Sequence, residues 1–185
     1  ERGHKEYEKV LYRFMDMSEA MYELRLLAGN GYTQGLTAYE KTRLVERTKA
    51  ALIRAKEEDG LEIQGKMRDL VAAMLNESST NVARMDAINN NATTEIKEQL
   101  KEGNLGITAA YEAAKLDEDE QRGMIRLIEQ MKRAHTFGLD VRFDEHTFTF
   151  FIADAATNTV VAPPPMNIPT VEAWLDDYEK EEAEE

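Results

Sequence analysis

Residues 68–87 read RDLVAAMLNESSTNVARMDA, and the spacing within this stretch decides the fold. Val71, Ala72 and Leu75 recur at helical intervals before Asn76, and Val82 and Met85 recur after it, so two short helices each turn one face inward around a tight turn. This is the layout of a helix-turn-helix. A small residue is needed where the two helices touch, and Ala72 supplies it. Asn76 falls where the turn requires a left-handed backbone, which glycine prefers and asparagine tolerates better than most residues. Ser78 or Ser79 caps the second helix, whose first exposed side chains are then Thr80, Asn81 and Arg84. In the major groove such residues meet base edges, asparagine suiting adenine and arginine suiting guanine. The candidate DNA-binding residues are therefore Ser78, Ser79, Thr80, Asn81 and Arg84, with Lys66 and Arg68 as nearby positive charge. Asp69, Glu77 and Asp86 oppose them, Glu77 from within the turn itself.

Outward from this motif the pattern stays helical. Tyr7, Val10, Leu11 and Phe14, then Met21, Leu24 and Leu27, predict helix over 5–30, restarted at Ser18-Glu19 and stopped by Gly29-Asn30-Gly31. Thr37 followed by Glu40 is a capping-box signature for a helix that runs through Leu44, Val45, Ala51 and Leu52 to Glu58. Short helices are expected at 66–75, 79–89, 93–102 and 106–115, and a longer one from Glu118 to His135. After Gly138 the period changes to two. Val141 and Phe143, then Phe148, Phe150 and Ile152, alternate with polar residues around Asp144-Glu145-His146, which predicts a β-hairpin, and Val160-Val161-Ala162 offers a third strand. Pro163-Pro164-Pro165 reads as an extended linker or a rigid wrap across the surface, and Thr170 as the cap of a last helix anchored by Trp174. The fold class is mainly α, a multi-helix domain with a helix-turn-helix, followed by a small C-terminal β-hairpin and a terminal helix.

Composition narrows the chemistry. The chain has 185 residues and no cysteine, which excludes disulfide scaffolds, thiolate metal sites and cysteine nucleophiles. No apolar run approaches the roughly 20 residues that span a bilayer, and the first residues do not open a signal peptide. A cytoplasmic protein without a membrane partner is the expectation. The net charge of −13 is uneven: residues 1–115 hold 17 basic and 19 acidic groups, residues 116–185 hold 6 and 17. The last fourteen residues form an acidic segment, which stays solvated or docks a protein partner. The histidines His4, His135 and His146 are too sparse for a metal centre, Asp117, Glu118, Asp119 and Glu120 match a charged helix start, and the glycine pairs lack the residues of a phosphate loop.

The order of features from Leu36 to Gln121 adds a resemblance. Leu36-Thr37-Ala38-Tyr39-Glu40 opens a helix, and the helix-turn-helix follows. Next come Glu95-Ile96, Leu100 and Gly103, then Ile107 to Ala114, then Leu116 leading into Glu118-Asp119-Glu120-Gln121. In this order the chain resembles the central helical region of the ParB partition-protein family, over roughly residues 18–130, and Leu24 to Asn30 looks like the end of the family's N-terminal nucleotide-binding domain. The resemblance implies a bacterial, nucleoid- or plasmid-associated protein of DNA partition or transcriptional regulation. It would bind a palindromic double-stranded DNA site as a homodimer, with Ser78, Ser79, Thr80, Asn81 and Arg84 at the recognition-helix start. It divides the chain into the end of an N-terminal region (1–35), a helical helix-turn-helix domain (36–135), and a hairpin, proline linker and acidic helix (136–185). Family members also hydrolyse CTP, but the matching stretch Gly29-Asn30-Gly31-Tyr32-Thr33 retains only Asn30 of the motif and no arginine box is present. The expectation is a non-enzymatic binder without cofactor. Because it begins at Glu1, the chain is also expected to be a piece of a longer protein. The alternative is a protein-interaction or oligomerisation module of the same fold that does not bind DNA.

Overall fold

The computed structural model describes residues 16–31 and 35–184. The helical expectation at Tyr7, Val10, Leu11 and Phe14 lies outside the described residues, as do Tyr32 and Thr33. The described chain is mainly helical: α1 (Glu19–Gly31), α2 (Ala38–Asp59), α3 (Met67–Leu75), α4 (Ser79–Asn91), α5 (Thr94–Lys101), α6 (Ile107–Ala113) and α7 (Glu118–Thr136) precede β1 (Leu139–Asp144), β2 (Thr149–Asp154) and β3 (Val160–Met166), and α8 (Ile168–Glu184) closes it. Two compact units result. One takes the described residues up to Leu36 with Glu40–Asp86; the other takes Thr37–Tyr39 with Ala87 onward.

In the first unit, α2 buries Thr42, Val45, Thr48, Ala51, Leu52 and Ala55, a stripe at the three-to-four spacing of one helix face. Glu23 of α1 ties to it through Arg47 at 3.0 Å and through Arg54. Helix α1 runs through Gly29 and Asn30, which the sequence suggests as breakers, and ends at Gly31. Tertiary packing overrides the weak local preference there. A Cβ on Gly31 would lie 2.7 Å from the Leu75 Cα, so glycine is what allows the end of α1 to approach the end of α3.

The second unit has two apolar clusters. In one, Ile96, Leu100, Ala110 and Ala113 of α5 and α6, helices too short to bury a face alone, pack with Ile88, Leu105 and Ile125. Asp117 starts α7 with a reciprocal capping box: its carboxylate accepts from the Glu120 N–H at 2.9 Å, and the Glu120 carboxylate accepts from the Asp117 N–H at 3.1 Å. The acidic run at this point is therefore a helix start. The second cluster joins Ala134 to Leu139, Val141, Ile152, Ala162, Met166, Val171 and Leu175.

The sheet is antiparallel in the order β1-β2-β3, with Val141 opposite Ile152 and Phe143 opposite Phe150. The proline run is a strand and not a linker. Pro163, Pro164 and Pro165 lie inside β3, an edge strand, where proline's missing N–H costs the ladder least. The pairing with β2 shifts between Ile152↔Ala162 and Phe150↔Met166, the stretch of β3 that contains them. The last helix is capped by Asn167 and not by Thr170. Asn167 Oδ1 accepts from the Thr170 N–H at 2.9 Å, and Thr170 Oγ1 accepts from the Asn167 N–H at 2.7 Å. Trp174 stacks on Tyr178 with ring centroids 5.1 Å apart, and Val171 and Leu175 are fully buried. The acidic helix is partly neutralised by α7, since Arg126 pairs with Glu172 at 3.0 Å and Arg133 with Asp176 at 2.6 Å and with Glu179.

Candidate nucleic-acid interface

The helix-turn-helix forms from α3, a three-residue turn and the start of α4. Val71, Ala72, Leu75, Val82 and Met85 are all buried, so each helix turns the expected face inward. Asn76 has φ 53° and ψ 40°, the left-handed conformation that this turn requires. The N–H groups of Asn76 and Glu77 both donate to the Ala72 carbonyl, which closes the end of α3. Ser78 then caps α4, its Oγ accepting from the Asn81 N–H at 3.1 Å.

The remaining candidates divide by what they touch. Thr80 is exposed at the start of α4, and Arg84 lies half-buried one turn further on. Ser79 Oγ donates to Asp69 Oδ1 of α3 at 2.5 Å, and Asn81 Nδ2 donates to Glu77 Oε2 at 3.1 Å. Lys66 and Arg68 are exposed at the start of α3, with Arg68 Nε 3.8 Å from Asp69. The fold thus brings Ser78, Ser79, Thr80 and Asn81 together at one helix end and sets the two cations at the head of the neighbouring helix.

Two residues of this site are not evident from the local sequence. Lys41 Nζ stands 2.7 Å from Glu77 Oε1, and Lys49 Nζ stands 2.5 Å from Asp86 Oδ1. Eight residues apart on α2, the two lysines are separated by about two helical turns and share a face. They neutralise two of the three acids that oppose the motif. Burial pushes the Glu77 carboxyl up, but hydrogen bonds from Lys41 and Asn81 and the Lys41 charge outweigh this and hold it below its ordinary value of 4.5. The charge is also partitioned between the units: among the described residues, the one carrying the helix-turn-helix holds 10 basic and 12 acidic residues, the other 9 and 20.

Elsewhere, His135 lies 3.7 Å from Asp140, and among the described residues no group of three or more histidine, aspartate or glutamate side chains could hold a metal ion. No helix among them is long and apolar enough to cross a membrane. Comparisons with protein-family models, with curated proteins and with solved structures find no match.

Proposed function

We propose that this chain is a ParB-like, non-enzymatic DNA-binding protein that reads a specific, palindromic double-stranded site with one α4 per subunit of a homodimer. Its setting would be bacterial DNA partition or transcriptional regulation, at the nucleoid or on a plasmid. The observation that carries the reading is the turn itself: left-handed Asn76, followed by the Ser78 cap, places the polar start of α4 at the surface beside the Lys66 and Arg68 end of α3. The near-neutral charge of that unit supports it, because phosphate contacts depend on local cations and not on the total of −13. Selection of bound fragments from a genomic DNA library tests it. Arg84→Ala and Asn81→Ala are expected to abolish sequence-selective enrichment while thermal stability stays nearly unchanged; a wild-type chain that enriches no sequence at low salt refutes it.

A second reading, a protein-interaction module of the same fold, is favoured by one observation. The β1–β2 hairpin presents Phe148 at 79% and Phe143 at 50% exposure, their rings in edge-to-face contact at 6.2 Å. Under that reading Phe148→Ser abolishes partner capture and Arg84→Ala changes nothing. Deleting α8 would not separate the two, because Val171 and Leu175 would leave the core. Glu181→Gln with Glu182→Gln probes the acidic segment without that loss.

A further inference from the structure

Glu77 is an acid in the turn of a motif assigned here to a polyanion, yet its side chain is only 15% exposed. Both of its oxygens are engaged, Oε1 by Lys41 Nζ at 2.7 Å and Oε2 by Asn81 Nδ2 at 3.1 Å. An ionised carboxylate can only accept, so the nitrogen of the Asn81 amide, and not its oxygen, must face Glu77. The orientation of that amide is decided by chemistry. One N–H is used on Glu77, which leaves Oδ1 and the second N–H for another partner. A donor beside an acceptor on one amide edge matches N7 and the N6 amino group of adenine.

We propose that Lys41 and Glu77 are positioning residues for a base-reading Asn81. Lys41 holds Glu77, and Glu77 takes the Asn81 N–H that lies anti to the amide carbonyl, so that Oδ1 and the syn N–H are presented together to an adenine in the major groove. This inference rests on the DNA-binding reading above. The same ion pair removes the repulsion that a bare carboxylate in the turn would exert on phosphates. Asn81 is thereby held in one amide orientation before DNA arrives, and less side-chain freedom is lost on contact.

Two readouts on the full chain test it. In 15N-labelled protein without DNA, the anti proton of Asn81 Nδ2 is expected downfield of a free amide and the syn proton near the free position, with Asn81→Ser identifying the pair of signals. Glu77→Ala should return the anti proton to the free position. A pair of signals unchanged by Glu77→Ala, or a shift carried by the syn proton, overturns the proposal. In selections from randomised duplex DNA, the wild type should prefer adenine at a position where Asn81→Ala shows no preference. Glu77→Ala and Lys41→Met should weaken that preference about tenfold, on the order of one lost bidentate contact. Affinity of Glu77→Ala for non-specific DNA should hold or rise, because a negative charge is removed. A merely structural role would lower both affinities together. Retained adenine preference in Glu77→Ala overturns the positioning role and leaves the DNA-binding reading intact. A wild type that selects no sequence overturns that reading and the positioning role with it.

Discussion

Gln121→Leu is expected to destabilise the sheet-bearing unit by about 2–3 kcal/mol, through stranded backbone groups and not through lost volume. Gln121 is 2% exposed on α7 and clamps two chain reversals. Its Oε1 accepts from the Thr93 N–H at 2.8 Å, and its Nε2 donates to the Asn91 and Leu116 carbonyls at 3.2 and 3.0 Å. Leucine has nearly the same size but offers none of these bonds. Each buried partner left without its bond costs roughly 1–3 kcal/mol, so three set an upper range of about 3–9 kcal/mol. Two terms reduce it: the leucine gains about 1–2 kcal/mol from its own burial, and water can reach Asn91 and Leu116, both exposed residues. At roughly 2–4 °C per kcal/mol for a chain of this size, the midpoint should fall by about 5–10 °C. Urea unfolding followed by Trp174, the single tryptophan and a member of this unit, reads the change. Hydrogen exchange at the Thr93 amide locates it, since that N–H loses its acceptor. A free energy within about 0.5 kcal/mol of wild type, with Thr93 protection unchanged, would refute the clamp.

Three further outcomes follow from single positions. Gly31→Ala should cost about 1–3 kcal/mol by forcing the Leu75 backbone away, whereas Gly29→Ala, with nothing within 4 Å of its Cβ, should stabilise α1 by about 0.5–1 kcal/mol; thermal melts showing both variants moving the same way would contradict this. Phe148 has φ 55°, a left-handed conformation unfavourable for an aromatic residue, so Phe148→Gly should raise stability by about 1 kcal/mol, measured as a higher urea midpoint. Glu23 is held below its ordinary carboxyl value of 4.5, chiefly by the hydrogen bond from Arg47, and Glu77 is held below it against burial. A depressed folded-state value contributes stability that is complete above 4.5 and is lost as pH falls through the folded value. Urea midpoints between pH 6 and pH 3 should therefore fall less steeply in Lys41→Met than in wild type; parallel curves would show that the pair is not coupled to folding.

The amino-acid sequence by itself determined the helical class, the helix-turn-helix and its special turn residue. These depend on interactions within a few residues. Apolar spacing sets which helix face is buried, Asn76 is a residue that tolerates left-handed backbone, and Ser78 reaches the N–H of Asn81 three positions away. The period-two alternation around 141–152 marked the hairpin for the same reason. Where the reading fell short, a partner distant in sequence intervened. Gly29-Asn30-Gly31 looks like a stop until Leu75 makes a close approach worth keeping helical. The proline run looks like a linker until β2 offers an edge beside which β3 can run. Only the tertiary structure decided which charges cancel. Glu77 and Asp86 read as obstacles to DNA in the linear order, but Lys41 and Lys49, nearly forty residues earlier, are brought against them by the packing of α2. Charge pairing acts over a few ångströms and is blind to chain separation, so periodicity carries no record of it.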